Sequence, residues 1–197
     1  MRDLNLDYFK FLYNKVAPAQ GRILISEPFF SDIYFQRSVV LLTEFSRKGA
    51  IGFILNKPVD MKVTEVLPDF PGTNATLSLG GPVSTNTIHY IHTYGSIIPK
   101  SIEVLEGIFW GGEYDYLQRI IESEGYNSAR LRFFLGYSGW ASGQLEEELK
   151  ANAWQVSEIP PAKIMNANTH NLWKESLNRL GENFSFWTNS PANPSLN

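Results

Sequence analysis

The stretch Leu135–Leu149 reads Leu-Gly-Tyr-Ser-Gly-Trp-Ala-Ser-Gly-Gln-Leu-Glu-Glu-Glu-Leu, and its reading decides the fold. The β-rich run Arg130–Leu135 leads into it as a strand. Glycines at 136, 139 and 143 predict a turn over Gly136–Gly143, because glycine reaches backbone conformations closed to other residues. Gln144–Asn152 then predicts a helix with Leu145 and Leu149 inward. Ser138 or Ser142 is its expected cap. Glu146 and Lys150 are expected to pair one turn apart.

A strand that turns sharply into a helix resembles a nucleophile elbow, but the spacing argues against one. The elbow needs glycine two residues before and two residues after its serine. Ser138 has Gly136 before it and Trp140 after it; Ser142 has Trp140 and Gln144. A second reading treats the segment as a helix N-terminus whose backbone N–H groups favour an anion. Tyr137 and Trp140 would then flank a ligand, with Gln144 in the first turn.

Working outward, Arg22–Ser26, Ser38–Phe45 and Ala50–Asn56 are short apolar runs that predict strands. Ser46-Arg47-Lys48-Gly49 links the last two as a hairpin. Their near-continuous apolar character predicts cover on both faces. Asn56-Lys57-Pro58 is expected to end the third. Val63–Leu67 predicts one or two helical turns, and Leu77–Leu79 leads into Gly80-Gly81-Pro82-Val83. Ile88–Tyr94, Ile102–Leu105 and Gly107–Trp110 predict strands. Tyr114–Glu124 predicts a helix with Leu117, Ile120 and Ile121 on one face and Gly125 at its end. Trp154–Val156 begins a last strand, and Thr169–Leu180 predicts a final helix with Leu172, Trp173, Leu177 and Leu180 on one face. Strands outnumber helices and do not alternate with them. That pattern predicts α+β, with a mixed or mostly antiparallel sheet that curls. The boundaries are an N-terminal arm over 1–18, a core over 19–157, and a C-terminal helix and tail over 158–197 packed on that core, as one domain. In the arm, Leu4, Tyr8, Phe9, Phe11 and Leu12 are the expected contacts.

Composition narrows the function classes. The chain has 197 residues, 14% of them aromatic, enough to bury a sizeable core. Seventeen basic residues against twenty acidic ones give a net charge of −3, and Arg47-Lys48 is the longest basic run. Direct nucleic-acid binding, which needs concentrated positive charge to displace counterions, is therefore not expected. The chain has no cysteine, which excludes thiolate chemistry, disulfides and Cys-ligated metals. Acids stand near Met1 where a signal peptide carries bases, and no apolar run reaches the roughly 20 residues that span a bilayer. The reading is cytoplasmic, away from membranes.

The remaining candidates are scattered. Gly80-Gly81 lacks the Lys-Ser/Thr of a phosphate loop. His89 and His92 are an odd number apart, so a regular strand puts them on opposite faces and they do not chelate one metal. Asp32 and Arg37 flank the loop before the second strand and are expected to pair across it. Glu146, Glu147 and Glu148 fan around their helix. No metal and no cofactor is called for.

Together these motifs carry a resemblance: Gly21–Pro28, Phe35–Leu42, Gly49–Pro58, Gly80–Val83, Ile91-His92 and Gly136–Glu148, in that order. The chain resembles the bacterial AlgH/YqgE family from about Gly21 to Val156. Its tail, with Leu172–Glu175 and Pro194–Asn197, is similar to the longer Bacteroidetes-type members. The resemblance implies an α+β fold whose bifurcated sheet rolls into a pseudo-barrel with flanking helices. It also brings the family's label of transcriptional regulator, which comes from a link to alginate regulation, and no known reaction. Phe45 stands where many members carry His, and Ala141-Ser142 where Gly-Pro is usual.

Three functions are then weighed. The first is a non-enzymatic regulatory protein binding a small ligand or a protein partner through Asp32, Arg37, Asn56, Gly80, Gly81, His92, Tyr137, Ser138, Trp140 and Gln144. The second is a small-molecule hydrolase using Ser138 or Ser142 with His92 and Asp32. The third, least favoured by charge, is direct DNA binding.

Overall fold

Among the described residues ten short strands share one sheet, and the longest of them runs into the glycine-aromatic segment. In the computed structural model, which describes residues 16–71, 74–166 and 169–190, the strands are β1 (Ile23–Ser26), β2 (Val39–Ser46), β3 (Gly49–Ile54), β4 (Pro58–Lys62), β5 (Thr76–Leu79), β6 (Val83–His92), β7 (Ile102–Leu105), β8 (Ile108–Trp110), β9 (Leu131–Ala141) and β10 (Trp154–Ser157). They run in the order β10-β1-β2-β3-β9-β6-β8-β7, with β4 and β5 as a branch. Among the described residues only β5 with β9 is parallel; the other pairings are antiparallel. The sheet curls until Gln20 Nε2 donates to the Glu103 carbonyl on β7 at 2.6 Å, yet among the described residues no ladder closes it into a barrel.

The bifurcation lies on one edge of β9. Phe133–Leu135 pair with Leu77–Leu79 of β5, and Ser138–Ala141 pair with Gly49–Gly52 of β3. Gly136 sits between the two pairings with φ +61°. This left-handed residue inverts the parity of the strand. Before it, Phe134 faces the inner apolar cluster while Phe133 and Leu135 face a second one; after it, Tyr137 faces inward and Trp140 outward. One strand thereby serves two sheet branches. Gly80 is the other half of the fork. A methyl group there would lie 2.2 Å from the Gly136 carbonyl oxygen, so only glycine lets the backbones approach.

Three apolar clusters follow from that geometry. Ile23, Ile25, Val39, Leu41, Phe53 and Leu55 line the concave face. Leu24, Val40, Leu42 and Ile54 line the convex face of the same strands beside Trp140 and Trp154. Leu77, Phe133 and Leu131 pack under the helix α2 (Tyr114–Glu124), which follows the one-turn α1 (Val63–Val66). After β9 come α3 (Gln144–Lys150), α4 (Pro161–Met165), α5 (Leu172–Leu180) and α6 (Ser185–Asn189). Ile164, Met165, Leu172, Trp173, Leu177, Phe184 and Trp187 from this C-terminal stretch fill the concave face. Buried Arg132 ties it down: Nη1 donates to the Ile164 carbonyl at 2.5 Å and Nη2 to the Leu55 carbonyl at 2.8 Å. Burial pulls this guanidinium down to about 10, which leaves it charged at neutral pH.

Several expectations are corrected. Residues 136–141 are strand, because Tyr137 pairs with Val83 of β6 and Ser138–Ala141 pair with β3; the turn shrinks to Ser142-Gly143. Gly143 is the N-cap of α3, with φ +78° and no side-chain cap. Ser138 is buried in β9, while the Ser142 hydroxyl donates to the Arg47 carbonyl at 2.8 Å. Lys150 meets Glu147, not Glu146, at 2.7 Å. Pro58 opens β4 where it was expected only to end β3, at a first strand position that needs no ladder donor. The hairpin link narrows to Arg47-Lys48, since Ser46 pairs with Gly49. The final helix starts at Leu172 rather than Thr169, with α4 and α6 around it. The arm contacts expected at Leu4–Leu12 lie outside the described residues.

Candidate functional site

The strand-helix corner is organised by one carboxylate. Glu148 Oε2 accepts from Trp140 Nε1 at 2.9 Å and from Trp154 Nε1 at 2.7 Å, and Oε1 accepts from Gln144 Nε2 at 2.9 Å. Gln144 Oε1 accepts from the Ala141 N–H at 3.0 Å. The i,i+4 spacing of Gln144 and Glu148 puts both side chains on the helix face that meets the two indoles. The polar atoms of the corner are thus engaged with one another. Tyr137 faces the concave cluster and Trp140 the convex one, so the two do not flank one ligand.

The fork absorbs Gly80, Gly81 and Ser138. The Gly80 carbonyl accepts from the Ile54 N–H at 3.0 Å and from the Ser138 hydroxyl at 2.9 Å, and the Gly80 N–H donates to Leu135 at 2.7 Å. A methyl group on Gly81 would lie 2.3 Å from the Tyr137 carbonyl. These residues hold two branches of sheet together.

His92 lies at the far end of β6, opposite Leu131, with no exposed surface. Its Nδ1 accepts from the Tyr94 N–H at 3.2 Å, which leaves the proton on Nε2, facing the Gly111 carbonyl and the Ser101 hydroxyl, both at 3.0 Å. Burial first, then Arg130, lowers its pKa, partly offset by the Gly111 carbonyl. Both ring nitrogens are thus engaged away from Ser138 and Ser142, and no Ser-His-Asp set forms with Asp32. Among the described residues no group of three or more His, Asp or Glu side chains could hold a metal ion.

The loop between β1 and β2 differs. Asn56 Oδ1 accepts from the Val39 N–H and Nδ2 donates to the Arg37 carbonyl, both at 2.8 Å. Arg37, held at φ +52°, reaches the C-terminal stretch: Nη2 donates to the Ser190 carbonyl at 2.6 Å, and its guanidinium lies 5.1 Å from the Trp173 ring centre. Asp32, expected to face Arg37, accepts from the Tyr34 N–H at 2.8 Å and faces Lys57. Lys57 Nζ donates to the Ile33 carbonyl at 2.8 Å; burial lowers its pKa and Asp32 partly restores it. Phe30 and Phe35 pack into the convex cluster against Trp154, with Phe35 also stacked on Trp140. Side chains beside these anchors are exposed: Phe29 is 46% exposed, Ile33 73% and Tyr34 39%.

The structure therefore brings Asp32, Arg37 and Asn56 together around one loop, and Gly80, Gly81 and Ser138 together at the fork beside Tyr137. It places Trp140 with Gln144 in the corner, and His92 apart. Sequence reasoning passed over Lys57 and the outward Phe29, Ile33 and Tyr34. The signal available for Lys57 was its place beside Asn56 in the apolar-run ending Asn-Lys-Pro.

This geometry defines an α+β protein built on a forked, incompletely closed sheet. The AlgH-like family model matches residues 23–185, and the chain belongs to that family. It is 42% identical over 191 residues to a UPF0301 protein of Parabacteroides distasonis, covering 96% of each chain. A UPF0301 protein of Bacteroides thetaiotaomicron is 40% identical over 196 residues, covering 99% of this chain and all of the relative. The solution structure of the AlgH protein from Pseudomonas aeruginosa superposes with a TM-score of 0.71 at 29% identity, covering 90% of this chain and 97% of that one. The crystal structure of protein DIP2367 from Corynebacterium diphtheriae shares the fold, with a TM-score of 0.73 at 21% identity over 88% of this chain and 93% of that one. No helix among the described residues is long and apolar enough to cross a membrane.

Proposed function

We propose that this chain is a non-enzymatic binding protein that acts through a protein partner seated on the Glu27–Arg37 loop. The observation that carries this reading is the outward display of Phe29, Ile33 and Tyr34 on a backbone fixed from beneath. Phe30, Phe35, Asn56 and Lys57 hold the loop in place. A preorganised loop loses little conformational entropy on binding, and aromatic and apolar side chains at its crest are typical anchors. A regulatory role of the kind attached to the family would then run through protein contact. The net charge of −3 supports that route over direct contact with DNA.

The test is co-purification from the native host with quantitative mass spectrometry, comparing the wild type with Ile33→Asp. A specific protein enriched by the wild type and depleted at least tenfold by the variant is expected, with both proteins melting at the same temperature. Equal recovery by the two would contradict the reading.

A further inference from the structure

The concave side of the fork carries a half-buried aromatic nest that the loop does not use. Tyr137, His89 and Trp110 gather round the buried ring of Phe53, with centroid distances of 5.7 Å for His89–Tyr137, 5.3 Å for Phe53–His89 and 5.8 Å for Phe53–Trp110. Trp140, Trp154, Trp173 and Trp187 are all buried, whereas Trp110 keeps a partly exposed surface. The nest borders the exposed bulge Ser84–Thr87, where the pairing of β6 with β9 skips from Val83 to Ile88. An irregularity of this size interrupts the ladder and re-aims the side chains beside it.

The hydrogen bonds fix the state of His89. The Thr87 hydroxyl donates its one proton to the Ser84 carbonyl at 2.8 Å. Its oxygen can then only accept from His89 Nε2, 3.1 Å away, so Nε2 carries the ring proton. In the neutral imidazole Nδ1 is left as a bare acceptor, and among the described residues no donor reaches it. Burial lowers the pKa of this ring, which keeps it neutral at pH 7.

We propose that Tyr137, Trp110 and His89 form a site for a free nucleobase or nucleoside, stacked on the partly exposed rings and donating an N–H to His89 Nδ1. Stacking supplies affinity for any planar heteroaromatic ring. The bare acceptor selects ligands with a ring or exocyclic N–H, as nucleobases have. The charge of the chain disfavours a polyanionic strand as the occupant.

Adenosine is the probe, with ribose as the control. Trp110 fluorescence should change saturably with adenosine and not with ribose, and Trp110→Phe should abolish the signal. The 15N resonance of His89 Nδ1 in the wild-type protein should shift on adding adenosine, a readout that needs no folded variant. His89→Phe keeps a ring and removes the acceptor, and should weaken binding roughly tenfold. No fluorescence response and no Nδ1 shift at millimolar adenosine would overturn the proposal. So would an Nδ1 that stays still while adenosine binds, or oligoadenylate that binds far more tightly with steep salt dependence. None of these results bears on the partner loop, whose anchors Phe30 and Phe35 pack on the convex face.

Discussion

The corner at Trp140 and the loop at Ile33 are both rich in aromatic residues and sit against the same convex cluster, yet they are built to opposite ends. In the corner, Glu148 gathers two indole N–H groups and the Gln144 amide, and the rings are buried. In the loop, Phe30 and Phe35 are turned in and Phe29, Ile33 and Tyr34 are turned out. A fixed loop that clusters exposed apolar side chains is what the proposed contact surface rests on, and a corner whose polar atoms are satisfied internally reads as a support.

The sharpest way to break the supporting side is at the fork. Gly80→Ala puts a methyl group 2.2 Å from a backbone oxygen, and Gly136→Ala adds left-handed strain and a contact of 2.6 Å to the Val83 carbonyl. Each should cost more than about 4 kcal/mol or prevent folding. Gly107→Ala, also at positive φ but with open space around it, should cost only about 1 kcal/mol. Urea denaturation separates these outcomes.

Glu148→Ala comes next in size. It strands two indole donors and should cost about 2–3 kcal/mol, with a red-shifted tryptophan emission as the corner loosens. Smaller again is the response to acid. His92 is held neutral by burial, so its folded pKa lies below its unfolded value. Its contribution is complete above the unfolded value of about 6.5 and is lost as pH falls below it toward the depressed folded pKa. Stability should therefore drop as pH falls below about 6.5, and His92→Gln should remove its share of that slope in chemical denaturation, leaving the share of His89, whose pKa burial also lowers. On the displaying side, Ile33→Asp should leave stability within about 0.5 kcal/mol of wild type, since the side chain is already in solvent.

Most of the fold was legible because strands and helices announce themselves by apolar runs and periodicity. The hairpin of β2 and β3, the helix Tyr114–Glu124 and the forked sheet implied by the family resemblance all appear. What misled was glycine. Gly136, Gly139 and Gly143 read as one turn, whereas Gly136 inverts a strand and only Gly143 turns the chain. A sequence shows that glycine is needed without showing whether the need is a positive φ, a close backbone, or both. The site was less legible for a related reason. Ser138, Trp140 and Gln144 looked chemically suggestive, but their partners are 58, 8 and 4 residues away, and only the folded chain reveals that these are structural bonds. Exposure of Ile33 is equally invisible in sequence, because an apolar residue in a run of aromatics reads as core.

The contrast between the two regions is tested most directly by photo-cross-linking in living cells, with a benzoyl-phenylalanine placed at Tyr34 or, on the corner, at Ser142. Both positions are exposed. A partner seated on the loop predicts a discrete protein adduct from position 34 that disappears when Ile33→Asp is added, and no adduct from position 142. An adduct from position 142 alone, or one from position 34 that survives Ile33→Asp unchanged, would contradict it.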